Sequence, residues 1–255
     1  MFGRQVVKAT VYTIAGTPNG RVAERMLEHK GVRYRRVELP NALHKPIIRI
    51  LGFGGNTVPA LTLDGRKVLG TRAISRALEA TRPDPPLFPP EPKLRAEVED
   101  AERWGEERLQ TITGRVMVWA LLRDRRAPAS FVDRGPLARL PGWLVSALAR
   151  PLVRLQARFN RTGDGPARAA LVELPGVLDH VDELIGLGVL DGDQLTAADY
   201  QIACSLRILI CLDDLRPLIE PRPAGRLALR ACPHFAGRIG HVLRPEELPG
   251  PPLSG

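Results

Sequence analysis

The sequence of 255 residues predicts a small α+β domain followed by a larger all-helical domain. Short runs rich in β-branched residues alternate with helical patterns over roughly the first 80 residues, in the order βαβαββα. Residues 81–92 then contain six prolines in twelve positions, which excludes regular structure. Beyond that segment strand patterns stop. The predicted division is therefore a first domain at 1–81, a linker at 82–92 and a helical domain at 93–255.

The elements of the first domain follow from local patterns. The first strand leads through a loop with a helix-opening proline into a helix that Gly31 ends, and a second strand completes a βαβ unit. Asp64-Gly65 is a common hairpin turn pair between the last two strands. Thr71 is predicted to cap the final helix. The predicted strands are 6–14, 32–39, 58–63 and 67–69, and the predicted helices are 21–30, 47–51 and 71–80.

The second domain is predicted from apolar spacing alone. One long helix is expected at 94–122, and an irregular basic stretch follows it. Thr196 and Asp199 stand three residues apart before an apolar run, which is typical of a helix-opening capping box. The remaining predicted helices are 142–160, 167–187 and 197–212.

Charge is concentrated in the middle of the chain. The formal net charge is +9, and residues 114–161 contain ten arginines and two aspartates. Within residues 143–161, Arg150, Arg154 and Arg158 recur at helical spacing beside Trp143 and several leucines, with Phe159 and Arg161 nearby. This segment has three interpretations: a solvated face, a peripheral contact with an anionic membrane or partner, or a site for an acidic acceptor. The sequence contains no helix-turn-helix, zinc or bZIP pattern, which argues against specific nucleic-acid binding.

The three cysteines lie late in the sequence, at Cys204, Cys211 and Cys232. Their number argues against a disulfide framework or a zinc site, and we expect buried thiols and no bound metal. Cys204 and Cys211 would lie about 10 Å apart on one helix, too far to bridge. The start of the sequence is too polar for a signal peptide, and the longest uncharged run in the middle, 140–149, is too short to span a membrane. A cytoplasmic protein is expected.

Motifs in both domains resemble one family. Residues 57–61 (TVPAL), 195–200 (LTAADY) and 232–235 (CPHF), with Arg244-Pro245, occur in the order found in the glutathione S-transferase superfamily. The resemblance covers nearly the whole chain. It implies a thioredoxin-like first domain with a cis proline at Pro59, and an all-α second domain of the glutathione S-transferase type that binds the acceptor. It also implies a homodimer, glutathione or another small thiol as co-substrate, and a role in detoxification.

The candidate thiol site is Thr17-Pro18-Asn19-Gly20, at the predicted start of the first helix. This string resembles the nu-class bacterial transferases, which hold the glutathione sulfur with Thr and Asn and reduce disulfides without a protein cysteine. The resemblance makes Thr17 and Asn19 the thiolate donors, and the helix dipole favours the negative sulfur. Alternatively, both residues only cap the helix. Tyr12 is a further possible donor, although a packing role on its strand is the simpler interpretation.

The rest of the glutathione site is placed by the same resemblance. The backbone beside Val58 and Pro59 would pair with the peptide, and Thr71 would hold the γ-glutamyl carboxylate. Arg72 either meets a carboxylate of the ligand or is an exposed arginine of the first turn. Gly70 stands where the family has an acidic residue, so the partner of the ligand's ammonium group is missing. Lys45, rather than His44, would meet the glycine carboxylate.

Two functions are compatible with this sequence. In the first, the protein stabilises a thiolate and transfers it to a small-molecule electrophile, or uses it to reduce a disulfide or peroxide. The alternative is a non-catalytic binding or scaffold protein of the same fold, with a decayed thiol site and the basic helix as its contact surface. Gly70 is the feature that favours the alternative.

Overall fold

The structure, a computed structural model, describes residues 7–41, 43–132, 136–159 and 162–250. For Pro136, Leu137 and Phe159 only the backbone is described. Arg161 and the side chain of Phe159, both assigned to the basic helix above, therefore lie outside the described residues. The first domain contains β1 (Ala9–Thr13), α1 (Pro18–His29), β2 (Tyr34–Glu38), α2 (His44–Ile50), β3 (Ala60–Leu63), β4 (Arg66–Leu69) and α3 (Thr71–Thr81).

The sheet has the predicted thioredoxin-like topology. Its strand order is β2-β1-β3-β4, with β1 and β2 parallel and the other two pairs antiparallel. Asp64 and Gly65 connect β3 to β4 with φ angles of 47° and 84°, as a two-residue hairpin turn with two left-handed positions requires. The predicted fold class of this domain is confirmed.

Alternating side chains divide the sheet between two hydrophobic clusters. Val11 and Leu61 face the main core beneath α1 and α3, where Met26 is fully buried. Tyr12 points to the other face, in a smaller cluster under α2, and meets the Phe53 ring edge-on at 5.7 Å between centroids. Tyr12 therefore packs between β1 and the loop that carries Phe53, which agrees with the simpler of its two interpretations, a packing role.

In the second domain, the regular elements of the described residues are all helical, apart from an isolated β-bridge between Leu212 and Ile239. It contains α4 (Pro92–Trp104), a π-helical turn (Gly105–Leu109), α5 (Gln110–Arg123), α6 (Ala127–Ser130), a 3-10 turn (Pro136–Arg139), α7 (Gly142–Phe159), α8 (Asp164–Gly186), α9 (Ala197–Leu209), α10 (Arg216–Ile219), α11 (Pro223–Ala231) and a second 3-10 turn (Pro245–Glu247). None of the described helices is long and apolar enough to span a lipid bilayer.

The predicted single helix at 94–122 is interrupted by the π-helical turn. A Cβ at Gly105 would lie 2.9 Å from a side-chain carbon of Ile202 on α9, so glycine permits close packing at this turn. The extra residue in the turn shifts the phase of the helix. Glu106 consequently faces the first domain.

Helix α9 lies at the centre of the molecule and begins with the predicted capping box. The Asp199 side chain accepts hydrogen bonds from Thr196 N at 2.7 Å and from Asp191 N at 2.7 Å. Thr196 Oγ1 in turn accepts from Asp199 N at 3.4 Å. Because α9 packs against α1 as well as α4 and α11, it joins the two domains.

Two basic side chains at the carboxyl end of α1 hold the proline-rich segment against that helix. Lys30 is 1% exposed, and its ammonium group donates to Glu79 Oε2 at 2.5 Å and to the carbonyls of Pro83 and Pro85 at 3.0 and 2.6 Å. His29 Nε2 lies 3.0 Å from the Pro86 carbonyl. The linker is therefore tightly attached, and the division at 82–92 stays a prediction.

Candidate functional site

Thr17 is the residue that precedes α1, but its hydroxyl does not cap the helix. Its backbone is extended, with φ −93° and ψ 134°, and Pro18 opens the helix as expected. The hydroxyl instead donates to the Ile14 carbonyl at 2.8 Å and lies 3.3 Å from the hydroxyl of Thr13. The capping interpretation of Thr17 is wrong. To donate to a thiolate, the hydroxyl must first leave the Ile14 carbonyl.

Thr13 is a neighbour of this site that the sequence analysis missed. Its side chain is buried at the end of β1, against the first turn of α1. A Cβ at Gly20 would lie 1.9 Å from Thr13 Oγ1, so Gly20 is what admits the hydroxyl there. The Thr13 hydroxyl is also 3.4 Å from the Ile14 carbonyl, which gives that carbonyl a second donor if Thr17 rotates away.

Asn19, in the first turn of α1, has an unsatisfied polar atom. Its Oδ1 atom is buried and accepts no hydrogen bond from any described residue. Buried polar atoms are nearly always paired, and an unpaired one costs about 1–3 kcal/mol. Asn19 therefore does not cap α1 in this state either. The unpaired atom is a hydrogen-bond acceptor, so it can take an N–H group of a ligand, while donation to a thiolate would fall to the Asn19 amide nitrogen.

Asn19 lines a cleft of about 380 Å³ between the start of α1 and helices α5, α6 and α7. Asn41 Nδ2 donates to Gln156 Oε1 at 3.0 Å and so links the loop after β2 to α7. None of the described residues that line the cleft is charged. Its polar side chains are Thr17, Asn19, Asn41, Gln110, Thr113 and Gln156, and its larger apolar ones are Ile14, Met117, Val118, Leu121, Phe131, Val132, Leu152, Val153 and Ile208. The cleft suits an apolar, uncharged molecule, and the basic arginines of α7 lie outside it.

A second cavity, of about 70 Å³, lies against the other side of Thr17. Its charged wall includes Glu24, which is 1% exposed and pairs with Arg21 at 2.5 Å and Arg36 at 3.2 Å. A buried carboxylate between two guanidinium groups is compensated, so it adds no uncompensated negative charge behind the candidate site at Thr17.

At the start of α3, the carboxylate of Glu106 from the helical domain contacts Thr71 and Arg72. Gly70, with φ 87°, is the cap residue, and Thr71 is the first helical residue, so the prediction that Thr71 caps α3 is wrong. The buried Thr71 hydroxyl donates to Glu106 Oε1 at 3.2 Å, and Arg72 Nη1 lies 3.9 Å from Glu106 Oε2. Glu106 was missed because it lies 35 residues away in the sequence, on the π-helical turn.

The backbone at Val58 is available to a ligand. The Val58-Pro59 bond is cis, and the Pro59 carbonyl accepts from Gly70 N at 2.9 Å, which joins this loop to the start of α3. No described residue forms a hydrogen bond with the N–H or carbonyl of Val58. The predicted residues Val58, Pro59, Thr71 and Arg72 thus form one group beside Gly70.

Lys45 is exposed on the first turn of α2 and already has a polar partner. His44 Nδ1 lies 2.5 Å from the carbonyl of Asn41, which borders the cleft. The segment that carries Lys45 therefore starts at the cleft.

Comparison with known proteins shows which family the first domain resembles. A family model described as the glutathione S-transferase N-terminal domain matches residues 11–86. Residues 11–86 are therefore similar to that domain, and the likeness of the rest of the chain to glutathione S-transferases is a likeness of fold. A search of curated proteins finds no match.

Three solved structures resemble this chain in fold over most of its length. Glutathione transferase F2 from Populus trichocarpa is 17% identical, with a TM-score of 0.59 over 87% of this chain and 91% of that one. FzlA from C. crescentus is 17% identical, with a TM-score of 0.54 over 95% and 96%. A glutathione S-transferase from Methylobacterium radiotolerans, solved with glutathione sulfonate, is 21% identical, with a TM-score of 0.51 over 88% and 89%.

The three cysteines of the chain lie away from the cleft. All three are free and buried. Cys204 and Cys232, rather than Cys204 and Cys211, are neighbours: burial and the Cys232 thiol raise the pKa of Cys204 well above its usual value. The hydrogen bond from Cys204, with the nearby Arg21, lowers the pKa of Cys232. None of the three lines the cleft.

Proposed function

We propose that this chain binds glutathione, or a low-molecular-weight thiol of the same kind, and transfers its sulfur to an apolar, uncharged electrophile or uses it to reduce a disulfide or peroxide. The observation that carries the proposal is the unpaired, buried Oδ1 atom of Asn19 in the wall of an apolar cleft at the start of α1. Because this oxygen only accepts hydrogen bonds, a bound thiol peptide would supply its missing partner with a backbone N–H, and the Asn19 amide nitrogen would donate to the sulfur. The helix N-terminus favours the sulfur as an anion.

The γ-glutamyl end of glutathione fits the charges at the start of α3. Its carboxylate would take the Thr71 hydroxyl, the free N–H groups of the first turn and Arg72. Its ammonium group would take Glu106, which lies within reach of both side chains. Glu106 thereby supplies the carboxylate that Gly70 cannot, so the missing acid at position 70 does not by itself indicate a decayed site.

The cysteinyl and glycyl parts of glutathione also have candidate partners among the predicted site residues. The free N–H and carbonyl of Val58 would pair with the cysteinyl backbone, above the buried ring of Pro59. Lys45 would meet the glycine carboxylate. The transferase from Methylobacterium radiotolerans that was solved with glutathione sulfonate supports glutathione as the ligand of this fold.

The proposed chemistry uses hydrogen-bond donors and no protein nucleophile. The Asn19 amide, with Thr17 after its hydroxyl leaves Ile14, would stabilise the thiolate, and the thiol proton goes to solvent. With an electrophile, a carbon–sulfur bond forms and the leaving group takes the electron pair. With a disulfide, the thiolate attacks one sulfur and expels the other as a thiolate. A second glutathione then resolves the mixed disulfide.

The resemblance adds three further parts to the proposal: a homodimer, a cytoplasmic location and a role in detoxification. The first is tested by light scattering of the purified protein, and the second by fractionation of the source cells. Neither changes the chemistry proposed for one chain.

Calorimetry with glutathione and an S-alkyl glutathione tests the binding. We expect both to bind, the S-alkyl compound more tightly because its chain fills the apolar cleft. We expect turnover of an uncharged aromatic electrophile and little turnover of its carboxylate analogue, which would need a charge buried in an uncharged cleft.

Failure of every thiol to bind a correctly folded protein would instead support the non-catalytic binding protein. The cysteine residues provide a separate test of the disulfide reaction. Because none lines the cleft, the Cys204→Ser, Cys211→Ala and Cys232→Ser triple variant should keep disulfide-reductase turnover while it remains folded. Loss of turnover in that folded variant would refute the mechanism without a protein cysteine.

A further inference from the structure

We propose that the outward side of α7 docks the protein onto an anionic lipid bilayer. We call this surface the α7 outer face and define it by Trp143, Ala147, Leu148, Arg154, Leu155 and Arg158, all of which are exposed. The proposal concerns a surface outside the thiol site and does not depend on the chemistry proposed above.

The apolar side chains of the α7 outer face are exposed. Trp143 is 74% exposed, Leu148 53% and Leu155 42%. All three therefore present apolar surface to solvent. Large apolar side chains grouped on one helix face indicate a contact surface rather than scattered exposure. A tryptophan beside leucines is typical of helices that lie in a membrane interface.

The same face is positive and carries no compensating acid. Residues 134–163 contain six arginines and no aspartate or glutamate. Arg150, Arg154 and Arg158 form no ion pair with any described residue. Unpaired arginines next to apolar side chains complement the phosphate layer and acyl boundary of an anionic bilayer.

A basic groove lies beside the indole of Trp143. It has a volume of about 540 Å³ and is lined by Arg125, Arg126 and Arg150 as well as Trp143. The nearest acidic residue in sequence, Asp124, is engaged with the backbone N–H groups of Arg126, Ala127 and Gly240. The groove therefore offers three cations to one phosphate headgroup, at the depth where an interfacial tryptophan sits.

Other partners fit this surface less well. A nucleic acid would use the arginines but would gain nothing from Leu148 and Leu155. An acidic protein would need its own apolar patch at the matching spacing. The inner side of the same helix, at Leu152 and Val153, lines the apolar cleft. Molecules that fill such a cleft accumulate in bilayers, so the membrane places the cleft near its ligands.

Vesicle flotation tests the proposal with the full chain. We expect binding to vesicles of phosphatidylcholine with phosphatidylglycerol, weak binding to phosphatidylcholine alone, and release by salt. Each arginine near an anionic surface is worth roughly fivefold in affinity, so Arg150→Gln, Arg154→Gln and Arg158→Gln together should weaken binding about 100-fold. The matched control removes the same charge elsewhere on the surface, with Arg33→Gln, Arg35→Gln and Arg66→Gln.

Fluorescence tests the apolar contribution separately. Addition of the anionic vesicles should shift the tryptophan emission to shorter wavelength, and Trp143→Phe should abolish that shift while leaving the circular dichroism unchanged. Equal weakening by the control triple would reduce the effect to net charge and overturn the proposal. So would binding without an emission shift, or arginine-dependent binding of an oligonucleotide or an acidic peptide without vesicle binding.

Discussion

Asn19 and Thr17 stand two residues apart but differ in what their side chains already contact. The Asn19 oxygen, an acceptor, has no partner and the amide nitrogen is the donor of that residue, whereas the single proton of the Thr17 hydroxyl already goes to Ile14. Removal of one donor that acts on a developing anion typically lowers kcat/KM by about 100-fold. We therefore expect about that loss for Asn19→Ala and a loss of less than about tenfold for Thr17→Val, measured with glutathione and an uncharged electrophile. A larger loss for Thr17→Val would make the hydroxyl the principal donor.

Glu106 is expected to bind the ammonium group of glutathione. Loss of one charge-assisted hydrogen bond costs about 1.5–3 kcal/mol, so Glu106→Gln should weaken glutathione binding about 10- to 100-fold in calorimetry. Glu107→Gln, on the exposed side of the same turn, is the control and should change little. Equal affinities of the two variants would remove Glu106 from the site.

Gly70 is a poor position at which to restore the missing acid. Its φ of 87° lies in the left-handed region, although no atom lies within 4 Å of a Cβ built there. A side chain would therefore meet backbone strain, on the order of 1 kcal/mol, rather than a clash.

The TPNG string was sufficient to predict Thr17 and Asn19 as candidates. Thr13 and Glu106 could not be predicted, because only the folded chain brings them to the site.

The capping box of α9 is an element whose stability can be measured. Asp199 is fully buried, and burial raises the pKa of its carboxyl group. Asp199→Ala would leave the N–H groups of Thr196 and Asp191 unpaired in the interior. We expect the free energy of unfolding to fall by about 3 kcal/mol in urea titrations. Asp193→Ala, exposed in the same loop, should change it by less than about 0.5 kcal/mol, and a similar loss in both variants would contradict this assignment.

Element boundaries show which structural features a local sequence pattern can predict and which it cannot. The capping box was predictable, because its donors and acceptors are three residues apart and depend on local geometry alone. The π-helical turn was not, since Gly105 and the residues around it keep helical spacing in sequence. The turn depends on the approach of Ile202, nearly 100 residues later, which no local pattern reports.

At the scale of the whole molecule, His29 makes the contact between domains sensitive to pH. Its Nδ1 atom lies 3.0 Å from the Tyr200 hydroxyl and its Nε2 atom 3.0 Å from the Pro86 carbonyl. Burial lowers the pKa of His29 below 6.5. The unfolded chain then binds the proton more readily than the folded one. The stabilisation is complete above about pH 6.5 and is lost as the pH falls through the lower, folded-state value.

His29→Gln should therefore be less stable than the wild type at about pH 7.5, and the difference should shrink towards about pH 5.5. Thermal unfolding of both proteins across that range measures it. His234→Gln, whose side chain is exposed, is the control and should follow the wild type at every pH. A difference between wild type and His29→Gln that is constant with pH would show that the ring acts only through packing.

Lys30 allows the opening of the junction between the domains to be measured by chemical labelling of lysines. The chain has five lysines, of which Lys8, Lys45, Lys67 and Lys93 are exposed. All three hydrogens of the Lys30 ammonium group are occupied by Glu79 and two linker carbonyls. An amine-reactive reagent should therefore add four lysine labels to the folded protein, besides any at the amino terminus. The fifth label should appear only as the linker detaches from α1, and its rate in mass spectra then reports how often this junction opens.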